Sequence, residues 1–173
     1  MRFPRLAAAV ATALVLGSAA PLTATTSITL AVDASDAPRK IFHVRESIPA
    51  PPGKLTLVYP KYIPGEHGPT GPITDLVGLK ITAAGKPVPW QRQPKEMWSF
   101  DVRVPEGVSS LEASFDYVAP LSGPTTATAQ LAILNWWSLL LYPQGPKDNE
   151  AMFAPSLKLP AGFGKGNGRA IWG

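Results

Sequence analysis

The sequence predicts an all-β fold, an antiparallel β-sandwich or saddle-like sheet. Three observations support this. Short segments alternate apolar and polar residues with a period of two. Turn-forming Pro and Gly recur between them, 20 and 15 in 173 residues. No long stretch carries a helical period, and the turns fall at the short, regular spacing of antiparallel sandwiches.

The amino terminus stands apart. Arg2 and Arg5 precede an apolar run from Leu6 to Leu16, and small residues follow at Gly17–Ala19. This is the three-part form of a secretory signal. The run is too short for the roughly 20 residues that a bilayer requires. Residues 1–24 are therefore expected to be a signal peptide, residues 27–163 a β-rich domain, and 164–173 an irregular tail. The mature protein is expected to be exported, periplasmic or extracellular, with no membrane contact after signal removal.

Within the β-rich part, Ile28, Leu30 and Val32 share one strand face. Ile41–Ile48 is the second strand and Lys54–Tyr59 the third, with Leu55, Leu57 and Tyr59 on one side. Ile73–Ala83 reads as a strand, Ala84–Lys86 as a turn, and Val88–Gln93 as its hairpin partner. Met97–Val104 and Ser110–Val118 alternate cleanly around Pro105–Gly107. Ala127–Tyr142, the most apolar stretch after the signal, reads as two short strands or a strand with a helical turn.

Composition removes several function classes. Hydrophobic residues make up 45% and charged residues 16%, which suits a packed core. The formal charge of +4 includes Arg2 and Arg5. No Lys/Arg cluster alternates with aromatics, so no nucleic-acid partner is expected. Cysteine is absent, which excludes disulfides, thiolate metal sites and a cysteine nucleophile.

The distinctive stretch is Tyr59–Ile73, Y-P-K-Y-I-P-G-E-H-G-P-T-G-P-I. Proline fixes φ and glycine opens unusual φ, so this composition describes a rigid, specifically shaped loop. It resembles the Y-P-x-[WY]-x-P-G-E-H-G-P-T-G-P-I signature in the amino-terminal domain of glycyl-aminopeptidase-like metallopeptidases, peptidase family M sixty-one. Val102–Val108, Phe115–Tyr117, Asn135–Gly145 and Leu157–Phe163 resemble further family segments, so the similarity spans roughly Ile28 to Phe163. It stops at Gly164, where the expected next strand is missing. This implies a chain truncated before its catalytic domain.

The resemblance implies an exported enzyme that removes amino-terminal residues, preferably glycine, with a zinc-bound water. Such a centre needs H-E-x-x-H on one helix face and a third ligand. The two histidines here, His43 and His67, lie 24 positions apart and neither opens that motif. No catalytic residue, metal ligand or cofactor is therefore assigned to this chain; zinc belongs to the suspected full-length enzyme, and the chain alone is expected to be inactive.

The candidate residues belong to contacts rather than chemistry. Glu66 and His67 are substrate-cleft candidates, because a carboxylate suits the free α-ammonium of a peptide substrate. Against this stands a purely structural loop, its polar groups bonded internally. Adjacent residues on extended chain point apart, so Glu66 and His67 would chelate a metal poorly, and His43 reads as a strand residue packed beside a core. Trp136, Trp137 and Leu141 are candidates for core or interdomain contact. The expected partner is the missing catalytic domain, with peptide substrate only in the full-length enzyme. The alternative is a free-standing exported β-sandwich that binds sugar or protein, which aromatic residues on an exposed strand face would favour. The glycines of 162–168 complete no phosphate-loop pattern, and no G-x-S-x-G is present.

Overall fold

Two sheets pack face to face, and the alternation of each strand decides which residues lie between them. The computed structural model describes residues 27–145 and 151–162. The expected signal peptide and the irregular tail lie outside the described residues.

The larger sheet has six strands: β1 (Ile28–Asp33), β2 (Ile41–Pro49), β4 (Leu76–Ala83), β5 (Lys86–Pro87), β8 (Ser110–Val118) and β12 (Phe153–Lys158). Their order is β12-β1-β2-β8-β4-β5. The smaller sheet joins β3 (Gly53–Val58), β6 (Trp90–Arg92), β7 (Ser99–Val104) and β11 (Tyr142–Pro143), in the order β11-β3-β7-β6. A two-stranded ribbon pairs β9 (Thr126–Ala127) with β10 (Ala132–Ile133). Three 3-10 turns, Ala37–Arg39, Ile73–Asp75 and Trp136–Leu139, complete the regular structure among the described residues.

The inward positions follow the period of two. Leu30 and Val32 of β1, Phe42, Val44 and Ile48 of β2, and Leu111, Ala113, Phe115 and Tyr117 of β8 are buried. They face Leu57, Phe100, Val102 and Val104 of the smaller sheet in one core. Each large apolar side chain removed from water contributes about 1.5–3 kcal/mol. Most outward positions are polar, as expected of a sandwich with wet outer faces, with Val77 and Val118 as exceptions.

The structure departs from the sequence reading in two places. Val88–Gln93 is not the hairpin partner of β4. Lys86–Pro87 pairs with β4 and the Val88 N–H still donates to Ile81 O at 2.9 Å, after which the chain crosses at Pro89 and Trp90–Arg92 pairs with β7 in the other sheet. Proline at 87 and 89 removes the backbone donors that a continuous ladder would need. The second departure is β12, an edge strand that pairs with β1 in parallel, where the alternation of the sequence had indicated only antiparallel neighbours. Its Pro155 is tolerated because an edge strand has one unpaired side. Ala127–Tyr142 contains both expected alternatives, two short strands and a 3-10 turn.

One end of the sandwich gathers the chain's special features. β1, β8 and β12 finish there, whereas β2 and β4 begin there, as the registers Asp33↔His43, Ile41↔Val118, Leu76↔Tyr117 and Asp33↔Lys158 require. The Tyr59–Ile73 loop connects β3 to β4 at this end.

Candidate functional site: the signature loop and the end that bears it

The loop has a fixed base. At its root, Tyr59 is wholly buried, and its phenol donates to the main-chain carbonyl of Ser138 at 2.8 Å. Burial, with Tyr117 and Asp75 nearby, pushes the Tyr59 hydroxyl far above its ordinary pKa, so it stays a donor. Ser138 is itself held through a 2.6 Å hydroxyl contact with buried Thr125. The loop root is thereby fastened to the 3-10 turn that carries the tryptophan pair.

A second set of contacts closes the loop's neck. Gly71 N–H donates to Lys61 O at 2.9 Å, and the Trp98 indole donates to Gly71 O at 2.9 Å. The Lys61 ammonium forms an ion pair with Glu96 and lies 5.1 Å from the Trp98 ring centroid. That pairing raises the pKa of Lys61 and lowers that of Glu96. Gly71 is obligatory here: a Cβ on it would meet Pro60 O at 1.9 Å.

The tip is different. Residues 64–67 are exposed, and Glu66 is held through its backbone, its N–H donating to Ile63 O at 3.0 Å. Neither the Glu66 carboxylate nor the His67 imidazole bonds to another described residue. The loop thus displays a free acid and a free imidazole on a rigid collar. Internal hydrogen bonding accounts for the neck, and it leaves these two side chains to solvent.

The other candidates divide. Leu141 is fully buried within this chain's own core, so its side chain is closed to a partner. Trp136 and Trp137 are half-buried, with Trp136 packed against the same core. The apolar residues that do reach solvent are others. Tyr62, Val77, Val118, Leu121, Leu131 and Ile133 are all exposed, Leu121 by 88%, and all lie at or beside the loop end. Of the nine large exposed hydrophobics among the described residues, Met152 alone sits at the opposite end, where it precedes β12. Alternation could have flagged Val118, whereas Leu121, Leu131 and Ile133 sit in irregular or two-residue elements that carry no period.

Two further features escaped the sequence reading. Glu46 occupies an inward position of β2 between Val44 and Ile48, at 1% exposure. Both its oxygens lie near the Leu141 N–H, at 3.0 and 3.1 Å, and burial drives its pKa well above the ordinary carboxylate value. Its register with Phe42, Val44 and Ile48 was the available signal. His43, by contrast, is on the solvent face rather than against the core, between Asp116 and Asp36.

Among the described residues, no group of three or more His, Asp or Glu is arranged to hold a metal ion. The described residues therefore do not fit a zinc centre. No described helix is long and apolar enough to cross a membrane. An open groove of about 820 Å³ on the outer face of the smaller sheet is lined by Lys54, Thr56, Trp90, Gln93, Asp101 and Arg103. Trp90 is half-buried and packs against the core, in T-shaped contact with Phe100 at 5.4 Å between ring centroids. Tyr62, on the loop, is the one largely exposed aromatic among the described residues.

The crystal structure of an aminopeptidase N family protein from Idiomarina loihiensis is similar in fold, with a TM-score of 0.66 at 19% identity. The match covers 78% of this chain and 22% of that one, so the chain spans about a fifth of the length of that relative. No curated protein matches the chain. The family profile described as Peptidase M61 N-terminal domain matches residues 29–167, which includes the whole signature loop and every described strand but for the first residue of β1. The chain belongs to that family of peptidase amino-terminal domains.

Proposed function

We propose that this chain is the non-catalytic amino-terminal domain of an exported, zinc-dependent glycyl aminopeptidase. It packs on the catalytic domain and walls one side of the substrate cleft. The observation that carries this reading is the signature loop: a pinned neck holding, at its exposed tip, a Glu66 carboxylate and a His67 imidazole that no other described residue engages. A carboxylate so placed suits the α-ammonium of a peptide, as an acceptor of charge-assisted hydrogen bonds. His67 beside it would limit the room for a bulky first side chain, in keeping with a preference for glycine.

Two further features support the docking part. Exposed apolar side chains concentrate at the loop end. The backbone after β12 also leaves from that end, since Lys158 pairs with Asp33. A domain that follows in sequence would thus start beside the surface best suited to bury it. The metal and its activated water would be supplied by that domain.

The test is Glu66→Gln at the matching position of a full-length relative. Loss of a charge-assisted contact is worth about 1.5–3 kcal/mol, so KM for glycyl substrates rises about tenfold or more. Unchanged KM in a correctly folded variant counts against the cleft role.

A further inference from the structure

At the loop end, one row of side chains crosses four strands of the larger sheet on its solvent face. Lys158 of β12 is opposite Asp33 of β1, Asp33 is opposite His43 of β2, and His43 is opposite Asp116 of β8. The Lys158 ammonium donates to Asp33 at 2.8 Å. His43 Nδ1 lies 2.7 Å from Asp116 Oδ1, and its Nε2 lies 3.2 Å from Asp36 Oδ2. An imidazole donates from both nitrogens only when it is protonated. Two ionised carboxylates on opposite ring nitrogens therefore specify an imidazolium, and the row reads as alternating charges.

Asp36 belongs to a strained corner. It precedes the Ala37–Arg39 turn, and its carbonyl accepts from the Arg39 and Ile41 amides at 2.8 and 3.2 Å. The turn closes through Lys40 at φ 67°, a left-handed conformation that side-chain-bearing residues rarely adopt. Ala37 is fully buried, the turn lies against β9, and Lys40 O accepts from Ala119 N–H at the end of β8. The corner thus links the sheet to the β9–β10 ribbon, which bears the exposed Ile133 and leads into it from exposed Leu131.

We propose that Asp36, His43 and Asp116 form a proton-dependent clasp. Closed, it holds the Asp36–Ile41 corner, and through it the β9–β10 ribbon, on the larger sheet. When His43 loses its proton, one ring nitrogen becomes an acceptor. The shorter bond to Asp116 keeps the remaining N–H, so Asp36 is the partner released.

The other charges near the ring are accounted for. Asp33 across on β1 is engaged by Lys158. Arg45, two residues along β2, lines the same recess, and Arg39 is 3.7 Å from the other oxygen of Asp36. Asp116 and then Asp36 outweigh partial burial and hold the His43 pKa above its ordinary 6.5. A raised histidine pKa gives stability that is full below the unfolded value and is lost as pH rises through the folded one. The clasp is therefore closed around the ordinary imidazole pKa and opens as pH rises through the raised folded value. It stands on the fold alone, whatever the domain's partner.

The test combines two readouts on the 173-residue chain. In proton NMR, the His43 resonance, assigned by its loss in His43→Gln, titrates with a midpoint above 6.5. Asp36→Asn and Asp116→Asn each lower that midpoint. In hydrogen exchange, protection of the Arg39, Lys40 and Ile41 amides falls about twofold to fivefold between about pH 6 and 9, after correction for intrinsic base catalysis. His43→Gln abolishes this step. A wild-type midpoint at or below 6.5, an Asp36→Asn midpoint equal to wild type, or pH-independent protection overturns the proposal.

Discussion

The indole of Trp98 donates a 2.9 Å hydrogen bond to the carbonyl of Gly71, joining the entrance of β7 to the returning limb of the signature loop. The same glycine donates to Lys61 O, and Lys61 sits over the Trp98 ring. One aromatic side chain therefore closes the neck from which Glu66 and His67 project. The free tip depends on this fixed neck.

Replacing Gly71 tests the neck. A Cβ at 1.9 Å from Pro60 O has a backbone atom in its way, which cannot turn aside as a side chain would. Gly71→Ala is expected to cost about 1–3 kcal/mol, the usual range for forced overpacking. Urea unfolding followed by tryptophan fluorescence should show a lower midpoint and an altered native Trp98 signal. An unchanged midpoint would mean that the neck shifts freely.

Glu46 gives a pH dependence with a definite sign. Its folded pKa lies well above the 4.5 of a free glutamate because burial penalises the charged form. The folded state therefore holds a proton that the unfolded state gives up. Stability from this group is full below about 4.5 and declines as pH rises towards the folded pKa. Glu46→Gln removes that decline. Above pH 4.5 the variant should gain on wild type by up to about 1.4 kcal/mol per pH unit. The comparison cancels the contribution of His43, which both proteins share. Parallel stability curves would show that Glu46 titrates alike in both states.

How much of this was legible in the sequence differs by element. β1, β2, β3, β7 and β8 were readable because each alternates over six or more residues with one face turned to the core. β5 and β6 were misjoined because sequence shows a turn and two flanking segments but not which sheet each enters. β12 was missed as a strand because its pattern, Phe-Ala-Pro-Ser-Leu-Lys, is broken by Pro155 and half exposed at an edge. The loop was recognisable from its composition and its family signature. Its free tip was not, since whether Glu66 bonds within the loop depends on contacts made by residues far away in the chain. The Asp36–His43–Asp116 arrangement depends on strand register across 73 positions, which no local pattern encodes.

The central claim is that this domain works as one wall of a larger peptidase. The most direct measurement is the intact mass of the species bearing the signature loop in native cells, captured with an antibody to residues 59–73. The account predicts a species several-fold heavier than the 173-residue chain. A species slightly lighter than this chain, consistent with loss of the signal alone, would contradict it and favour a free-standing exported binding domain.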